Sequence, residues 1–380
     1  LLHVWSTTTS SAEDSSRNLR GGAPGSGSWR AERIAAVAAR KSTPTQTYPS
    51  IEGTWPRIAA PSTAHLWSTC LNAFGWNGAG TKIYLPGRIC GVIRKPDRLA
   101  FGPAGVPRSS AGRSTEDGVR RVIEMGLDAM EIEFVRGVKM GEEAARRVRE
   151  AAESGGVLLT VHAPYYVNLL SEDEDKVKAS MNRIIESARV GSAAGAWSVV
   201  FHPGYYGKLD PKEAAGLARR RLTEVLRALK DEGVDIWVRP EVMGGLAELG
   251  DLEEVMAMVE GLDNALPCID FAHLYARSLG SVNSKEAFRD VLSRVEGRLG
   301  REAIENMHIH VSGMEYGPRG ERRHLPLEES EFRWRDLMDV LREFKPRGAL
   351  ICESPLLEDD AVLLRDYYRG VRRRGRGGKV

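Results

Sequence analysis

VLLTVH (157–162) is a run of apolar and β-branched residues that stops on a histidine. The pattern recurs downstream in WSVVFH (197–202), VDIWVRPE (234–241), ALPCID (265–270), NMHIHV (306–311) and GALICE (348–353). RLAFG (98–102) and AMEIEF (129–134) precede it. Short runs rich in β-branched and aromatic residues read as buried strands. Longer amphipathic stretches lie between them. Their start signals are Ser114 with Glu116 and Asp117 behind it, Gly141, the acidic SEDEDK (171–176), Pro211, Asp251, Ser284, Ser330 and Asp359. Strand–helix alternation implies right-handed βαβ units and a parallel sheet. Eight such units between 98 and 370 predict an α/β protein with a single (β/α)₈ TIM barrel, in preference to an open doubly wound sheet. No GxGxxG opens the first helix, which weighs against a dinucleotide fold.

In a barrel of this kind the chemistry sits at the C-terminal ends of the strands. Those ends carry His162, His202, Glu241, Asp270, His308, His310 and Glu353, with His273 three residues after Asp270. Of eight histidines in the chain, six fall in the barrel, the sixth being His324 in the loop after the seventh strand. None of the six is expected on a barrel helix. A single such histidine reads most simply as a structural one. Imidazoles and carboxylates converging on one mouth are another matter, because their buried charges need compensation. Divalent cations supply it. Imidazole with carboxylate is the donor set of zinc, or of manganese or iron as carboxylates increase. Strand parity puts His308 and His310 on one face and Cys268 on the face of Asp270, where it reads as a small buried hydrophobe.

The remaining composition bounds the answer. The 380 residues are 42% hydrophobic and 28% charged, as in an ordinary globular protein, and no apolar run is long enough to span a membrane. Four cysteines without a CxxC pair fit a reducing, cytoplasmic setting, and no signal peptide is visible. No obligate protein partner is evident. The net charge of +2 divides unevenly: residues 1–97 carry +6, the basic tail 371–380 carries +5, and 98–370 carry −9. Bulk charge therefore does not make the barrel a nucleic-acid binder, and affinity for phosphate would come from a local patch or from bound metal. Residues 1–97, rich in Ser, Thr, Gly and Pro with little apolar periodicity, read as a low-complexity, disordered extension.

Seven stretches resemble the endonuclease IV family of metal-dependent apurinic/apyrimidinic endonucleases: HAPYYVNL (162–169), FHPG (201–204), PE (240–241), CIDFAH (268–273), MHIHVSG (307–313), RRHLPL (322–327) and LICESP (350–355). They run in family order from about Arg98 to Gly370. The resemblance implies two or three zinc ions, with manganese as the alternative. Their ligands would be His162, His202, Glu241, Asp270, His273, His308, His324 and Glu353. Glu241 would bridge two metals, with His162 and His202 on one and Asp270, His308 and Glu353 on the other. Glu241 and Glu353 would be the catalytic carboxylates. His273 and His324 would hold the third ion. Tyr165 and Tyr166 lie where the family pushes side chains into the DNA stack. The implied substrate is DNA containing abasic sites.

One departure stands out. The family takes an Asp–x–His pair for the third zinc, and here Arg322 occupies the place of the Asp. Either that site is lost, or His310 or Glu321 substitutes, or Arg322 contacts a phosphate itself. The RPE of the fifth strand also replaces the family's Glu-Asn, while keeping a carboxylate. Two metals can clamp the attacking and leaving oxygens of a phosphoryl displacement. The competing expectation is a sugar isomerase or epimerase of the xylose-isomerase-like barrels, which needs one metal and carboxylates that move a proton beside a carbonyl. Histidines beyond one metal's needs favour the nuclease; the negative barrel favours the sugar.

Overall fold

The computed structural model describes residues 74–76, 82–84 and 96–371. The expectations for residues 1–97 and for the tail 371–380 lie, for the rest, outside the described residues. Strands β1 (Phe74–Trp76) and β2 (Lys82–Tyr84) pair as an antiparallel hairpin. From residue 99 the chain alternates as the sequence predicts. The order is β3 (Leu99–Pro103), α1 (Thr115–Glu124), β4 (Ala129–Glu133), α2 (Glu142–Gly155), β5 (Leu158–His162), α3 (Glu174–Ala193), β6 (Ser198–Phe201) and α4 (Pro211–Glu232). It continues with β7 (Trp237–Pro240), α5 (Leu252–Val259), β8 (Cys268–Asp270), α6 (Phe271–Arg277), α7 (Lys285–Leu299), α8 (Arg301–Ile304) and β9 (Met307–Val311). An antiparallel hairpin, β10 (Gly313–Gly317) and β11 (Gly320–Leu325), precedes α9 (Trp334–Phe344), β12 (Gly348–Cys352) and α10 (Glu358–Arg369).

The eight parallel strands form two four-stranded arcs, β4-β5-β6-β7 and β3-β12-β9-β8. Bridges from Ala104 to Glu131, Val238 to Ala265 and Glu241 to Cys268 join the arcs at both seams. The fold is a closed TIM barrel. The β3–β4 seam requires a glycine: a Cβ on Gly102 would lie 1.7 Å from the carbonyl oxygen of Ala129.

Most helices begin where the sequence signals place them. Ser114 with Asp117 and Asp251 with Glu254 form reciprocal capping boxes, and Asp210 caps α4 ahead of Pro211. The stop signals are equally local, with Gly156 and Gly233 in the left-handed conformation after α2 and α4. The expected start at Ser330 is corrected to Trp334. The Ser330 hydroxyl is engaged elsewhere: it accepts from the amides of Met314 and Phe332 and donates to the Met314 carbonyl, clamping the hairpin to the segment that leads into α9. The expectation that no histidine lies on a helix is corrected too. His273 sits in α6, a two-turn helix capped by the Asp270 carboxylate, too short for its periodicity to be read.

The main core lies between the strand ring and the helices, and includes Phe101, Val161, Phe201 and Leu350. Each such side chain stabilises the fold by about 1.5–3 kcal/mol. A smaller cluster of Ala100, Ala129, Trp197, Ala349 and Ile351 packs by itself. Arg239 is fully buried with its guanidinium 4.5 Å from the Trp197 ring, and it donates to Asn306 and to the Pro267 carbonyl. Among the described residues no helix is long and apolar enough to cross a membrane.

Candidate metal centre at the barrel mouth

Glu241 follows directly on β7 and is fully buried. Its two oxygens face different groups. Oε2 lies 3.2 Å from Nε2 of His162, at the end of β5, and 3.2 Å from Nε2 of His202, just after β6. Oε1 lies 3.0 Å from Nδ1 of His310 and 3.4 Å from Nδ1 of His273. A carboxylate so placed can serve two neighbouring cations, one per oxygen.

Three sets of donor atoms lie at the mouth, each with its members within 4.8 Å of one another: His162, His202 and Glu241; Glu241, Asp270, His310 and Glu353; and His273, Glu321 and His324, the first two sharing Glu241; a separate group, Cys268, His308 and His310, does not include it. The chemistry of these sets fits divalent cations. A direct sign is Asp270, whose Oδ1 caps α6 through the His273 amide at 2.7 Å while its buried Oδ2 has no hydrogen-bond partner. Second contacts fix the rings. His162 Nδ1 is 2.7 Å from the Ala163 carbonyl, His273 Nδ1 is 2.9 Å from that of Val242 and His324 Nδ1 is 3.1 Å from that of Glu353. These contacts leave Nε2 of each ring for the mouth.

Electrostatics agree with cation-seeking sites. Burial opposes charge on His162, yet Glu241, Glu133 and Glu131 override it and raise the imidazole to about 10. Burial likewise opposes charge on His324, and Glu321 and Glu353 bring it up to about 9. Desolvation lifts Asp270 to about 6. Protons on the imidazoles thus stand in for cations among these carboxylates, and metal binding would release them.

Seven of the eight expected ligands come together in these sets: His162, His202, Glu241, Asp270, His273, His324 and Glu353. His308 does not join Glu241, Asp270 and Glu353; His310 takes that place. Register explains the exchange. Asp270 pairs with His310 across β8–β9, whereas His308 pairs with Cys268 one repeat further from the mouth. His308 bonds the Ser198 hydroxyl at 2.8 Å through Nδ1 and lies 3.2 Å from Glu131 through Nε2. Desolvation drops its pKa to about 4. Cys268 is buried, and desolvation pushes its thiol up to about 12, in keeping with a small hydrophobe.

Arg322 lies outside the three sets. Its side chain is exposed, 3.5 Å from Glu315, and Glu321 supplies the carboxylate between His273 and His324, at 3.2 and 3.5 Å. Tyr165 and Tyr166 stand half exposed at the rim. Tyr165 stacks on His202 with ring centroids 5.4 Å apart, meets His162 edge-on and donates to Glu133 at 3.2 Å. Arg183 lies 4.5 Å over the Tyr166 ring.

Sequence reasoning did not assign a role to Glu131 or Glu133 on β4. Two glutamates at i and i+2 in an apolar strand were the available signal, since parity aims both inward.

Comparison with known proteins fits this geometry. Residues 119–369 match the model of the xylose isomerase-like TIM barrel family. The chain is 44% identical over 270 residues to the uncharacterized protein MJ0133 of Methanocaldococcus jannaschii, covering 71% of this chain and 97% of that one. It is 26% identical over 166 residues to the probable endonuclease 4 of Aquifex aeolicus, covering 43% of this chain and 58% of that one. Among solved structures, endonuclease IV from Thermus thermophilus superposes with a TM-score of 0.52 at 22% identity, covering 70% of this chain and 98% of that one. A D-tagatose 3-epimerase-like protein does so with 0.56 at 21% identity, covering 72% of this chain and 96% of that one. At such identities both structures speak to the fold alone. With two thirds of its length matched by the family model, the chain belongs to the xylose isomerase-like TIM barrel family.

Proposed function

We propose that this barrel is a metal-dependent phosphodiesterase that cuts the DNA backbone at abasic sites, in the manner of endonuclease IV. The observation that carries this reading is the number of donor sets. One metal would use Glu241, Asp270, His310 and Glu353; the sets His162–His202–Glu241 and His273–Glu321–His324 exceed that need. Zinc suits the imidazole-rich sets, with manganese as the alternative for the carboxylate-rich one.

When bound, the ions would supply Lewis-acid stabilisation of charge on phosphate oxygens and lower the pKa of water. The rest falls to the chain. Glu241 holds two sets together through its separate oxygens. Glu353, at the edge of its set and partly open to the mouth, faces the entering substrate. Tyr165 and Tyr166 offer ring faces on which a base can stack, which suits a site where a nucleotide is extruded at little cost. Arg322, exposed on the hairpin, would grip a backbone phosphate.

The test is metal content per chain measured together with nicking of an abasic-site duplex. Two or three zinc ions with nicking support the reading. One manganese ion with ketose turnover would support a sugar isomerase or epimerase, which the net charge of −9 over residues 98–370 favours.

A further inference from the structure

The separate donor group beneath the mouth consists of Cys268, His308 and His310, with ligand atoms within 4.8 Å of one another. All three residues are fully buried, and so is Glu131 on β4. Glu131 Oε1 lies 3.1 Å from Nε2 of His310, and its Oε2 lies 3.2 Å from Nε2 of His308, yet neither pair makes a hydrogen bond. Oε1 and both Nε2 atoms are left without partners in the barrel interior, where an unpaired polar atom is costly. The bonds these groups do make turn the unpaired atoms towards one another. His310 Nδ1 lies 3.0 Å from Glu241. An ionised carboxylate only accepts, so in the neutral ring Nδ1 carries the proton and Nε2 keeps the lone pair. The Ser198 hydroxyl engages Nδ1 of His308 at 2.8 Å, and the Thr160 hydroxyl donates to Glu131 Oε2 at 2.8 Å.

We propose that Cys268, His308, His310 and Glu131 form a further metal site, closed to solvent, that holds one zinc ion inside the barrel. A thiolate, two imidazoles and a carboxylate make four donors, the number of a structural zinc site. Each ring already has the outer contact that fixes such a ligand: Nδ1 of His310 donates to a carboxylate, and Nδ1 of His308 meets a hydroxyl. In the metal-free chain burial keeps the Cys268 thiol protonated, and coordination displaces that proton. The site gives a buried carboxylate the cation it needs, and a role to a histidine held away from the mouth. It also joins the two halves of the ring. Glu131 stands on β4 of one arc, and the other three ligands stand on β8 and β9 of the other, so the ion clasps the arcs across the interior. With this ion bound, His310 serves the mouth through the proton it donates to Glu241, and the mouth set keeps the carboxylates of Glu241, Asp270 and Glu353. An ion buried here touches no substrate, so the site goes beyond the proposed cleavage and does not depend on it.

The experiment loads the full chain with cobalt(II) in place of zinc and reads its absorption. The three mouth sets offer only nitrogen and oxygen donors, so a thiolate-to-cobalt charge-transfer band in the near ultraviolet marks a site that includes a cysteine. The parent should show the band. Cys268→Ala should abolish it, lower the cobalt content by one ion and reduce the rise in unfolding midpoint that added metal gives. His308→Gln should shift or abolish the band, and Glu353→Gln at the mouth should keep it. Cys352→Ala, which changes the other described cysteine, should keep both the band and the metal count. A parent without the band overturns the proposal whatever the variants do. A band that survives in Cys268→Ala, or is unchanged in His308→Gln, overturns it too. The two readings fail separately: the band without nicking of an abasic duplex sinks the proposed cleavage and leaves this site standing, whereas nicking without the band sinks only this site.

Discussion

Glu321 and His324 stand three residues apart on one strand, yet their side chains meet, with Oε1 of the one 3.5 Å from Nε2 of the other. Simple alternation would turn them to opposite faces. The hairpin register accounts for the contact. Glu315 pairs with Arg323 and the adjacent Tyr316 pairs with Glu321, so Arg322 is an extra residue without a partner in the ladder. The bulge resets parity and sends Arg322 outward.

Neither removing Arg322 nor changing its side chain should therefore break the third donor set. Deletion removes the bulge but leaves Glu321 and His324 two places apart, still opposite Tyr316 and Met314 and on one face, so the metal content should not fall. Arg322→Asp should leave the metal count unchanged, because Glu321 already fills the carboxylate position. If Arg322 contacts DNA, the same substitution should flatten the slope of log affinity against log salt by about 0.9. Elemental analysis and salt-dependent binding read the two effects. A gain of one ion in Arg322→Asp would contradict the bulge argument.

Glu241→Gln should lower both metal content and turnover. An amide offers one good donor oxygen where the carboxylate offers two, and here the two oxygens face different histidines. Losing a shared bridge should reduce kcat by at least about 100-fold, with the unfolding midpoint of the metal-free protein little changed. Parental metal stoichiometry in Glu241→Gln would argue against two ions sharing this side chain.

The ring of strands and the mouth residues were legible because each strand end combines an apolar run with one polar terminus, as in VLLTVH and GALICE. Depth was not legible. His308 and His310 share a face by parity, and only the pairing of His310 with Asp270 reveals which one reaches the mouth. The hairpin was hidden for another reason: GMEYGPRGERRHL is rich in glycine and charged residues, so it has no apolar alternation to announce strands. Its bulge, and hence the place of Glu321, depends on cross-strand pairing that no local pattern encodes.

Tyr166→Ala tests the stacking surface without touching the donor sets, because Tyr166 is exposed and its ring neighbour is Arg183. A stacked base contributes about 1–3 kcal/mol, so binding to an abasic duplex should weaken by about 5–150-fold while metal content stays constant. Tyr165→Ala should be worse, since Tyr165 also packs on His162 and His202. Equal, unchanged affinities in both variants would remove the tyrosines from the interface.

A chain running from Arg98 to Val371 should unfold in one cooperative transition and retain metal uptake. Every strand of the ring lies between Leu99 and Cys352, and the relative from Methanocaldococcus jannaschii matches over 97% of its own length within 270 residues. Calorimetry of the shortened chain checks this; a broad, non-cooperative transition would show that upstream residues complete the fold.

Glu358 ties the loop after β3 to α10, and its contribution should depend on pH. One oxygen accepts from the Arg108 amide at 3.1 Å, the other from that of Ser109 at 2.9 Å, and the side chain is buried. Burial pushes its pKa up, but its own helix-start amide and those of Ser109 and Arg108 outweigh this and hold it below the ordinary 4.5. A carboxyl depressed in the folded state binds protons more readily when unfolded. Its stabilisation is complete above the unfolded pKa and fades as pH falls through the folded one. Glu358→Gln should therefore cost about 1.5–3 kcal/mol at pH 7, the range for hydrogen bonds to a charged group. The difference from the parent should shrink below about pH 4. Urea unfolding at pH 7 and pH 3.5 measures both values; a difference that is constant or larger at low pH would mean that shape, not charge, is what Glu358 contributes.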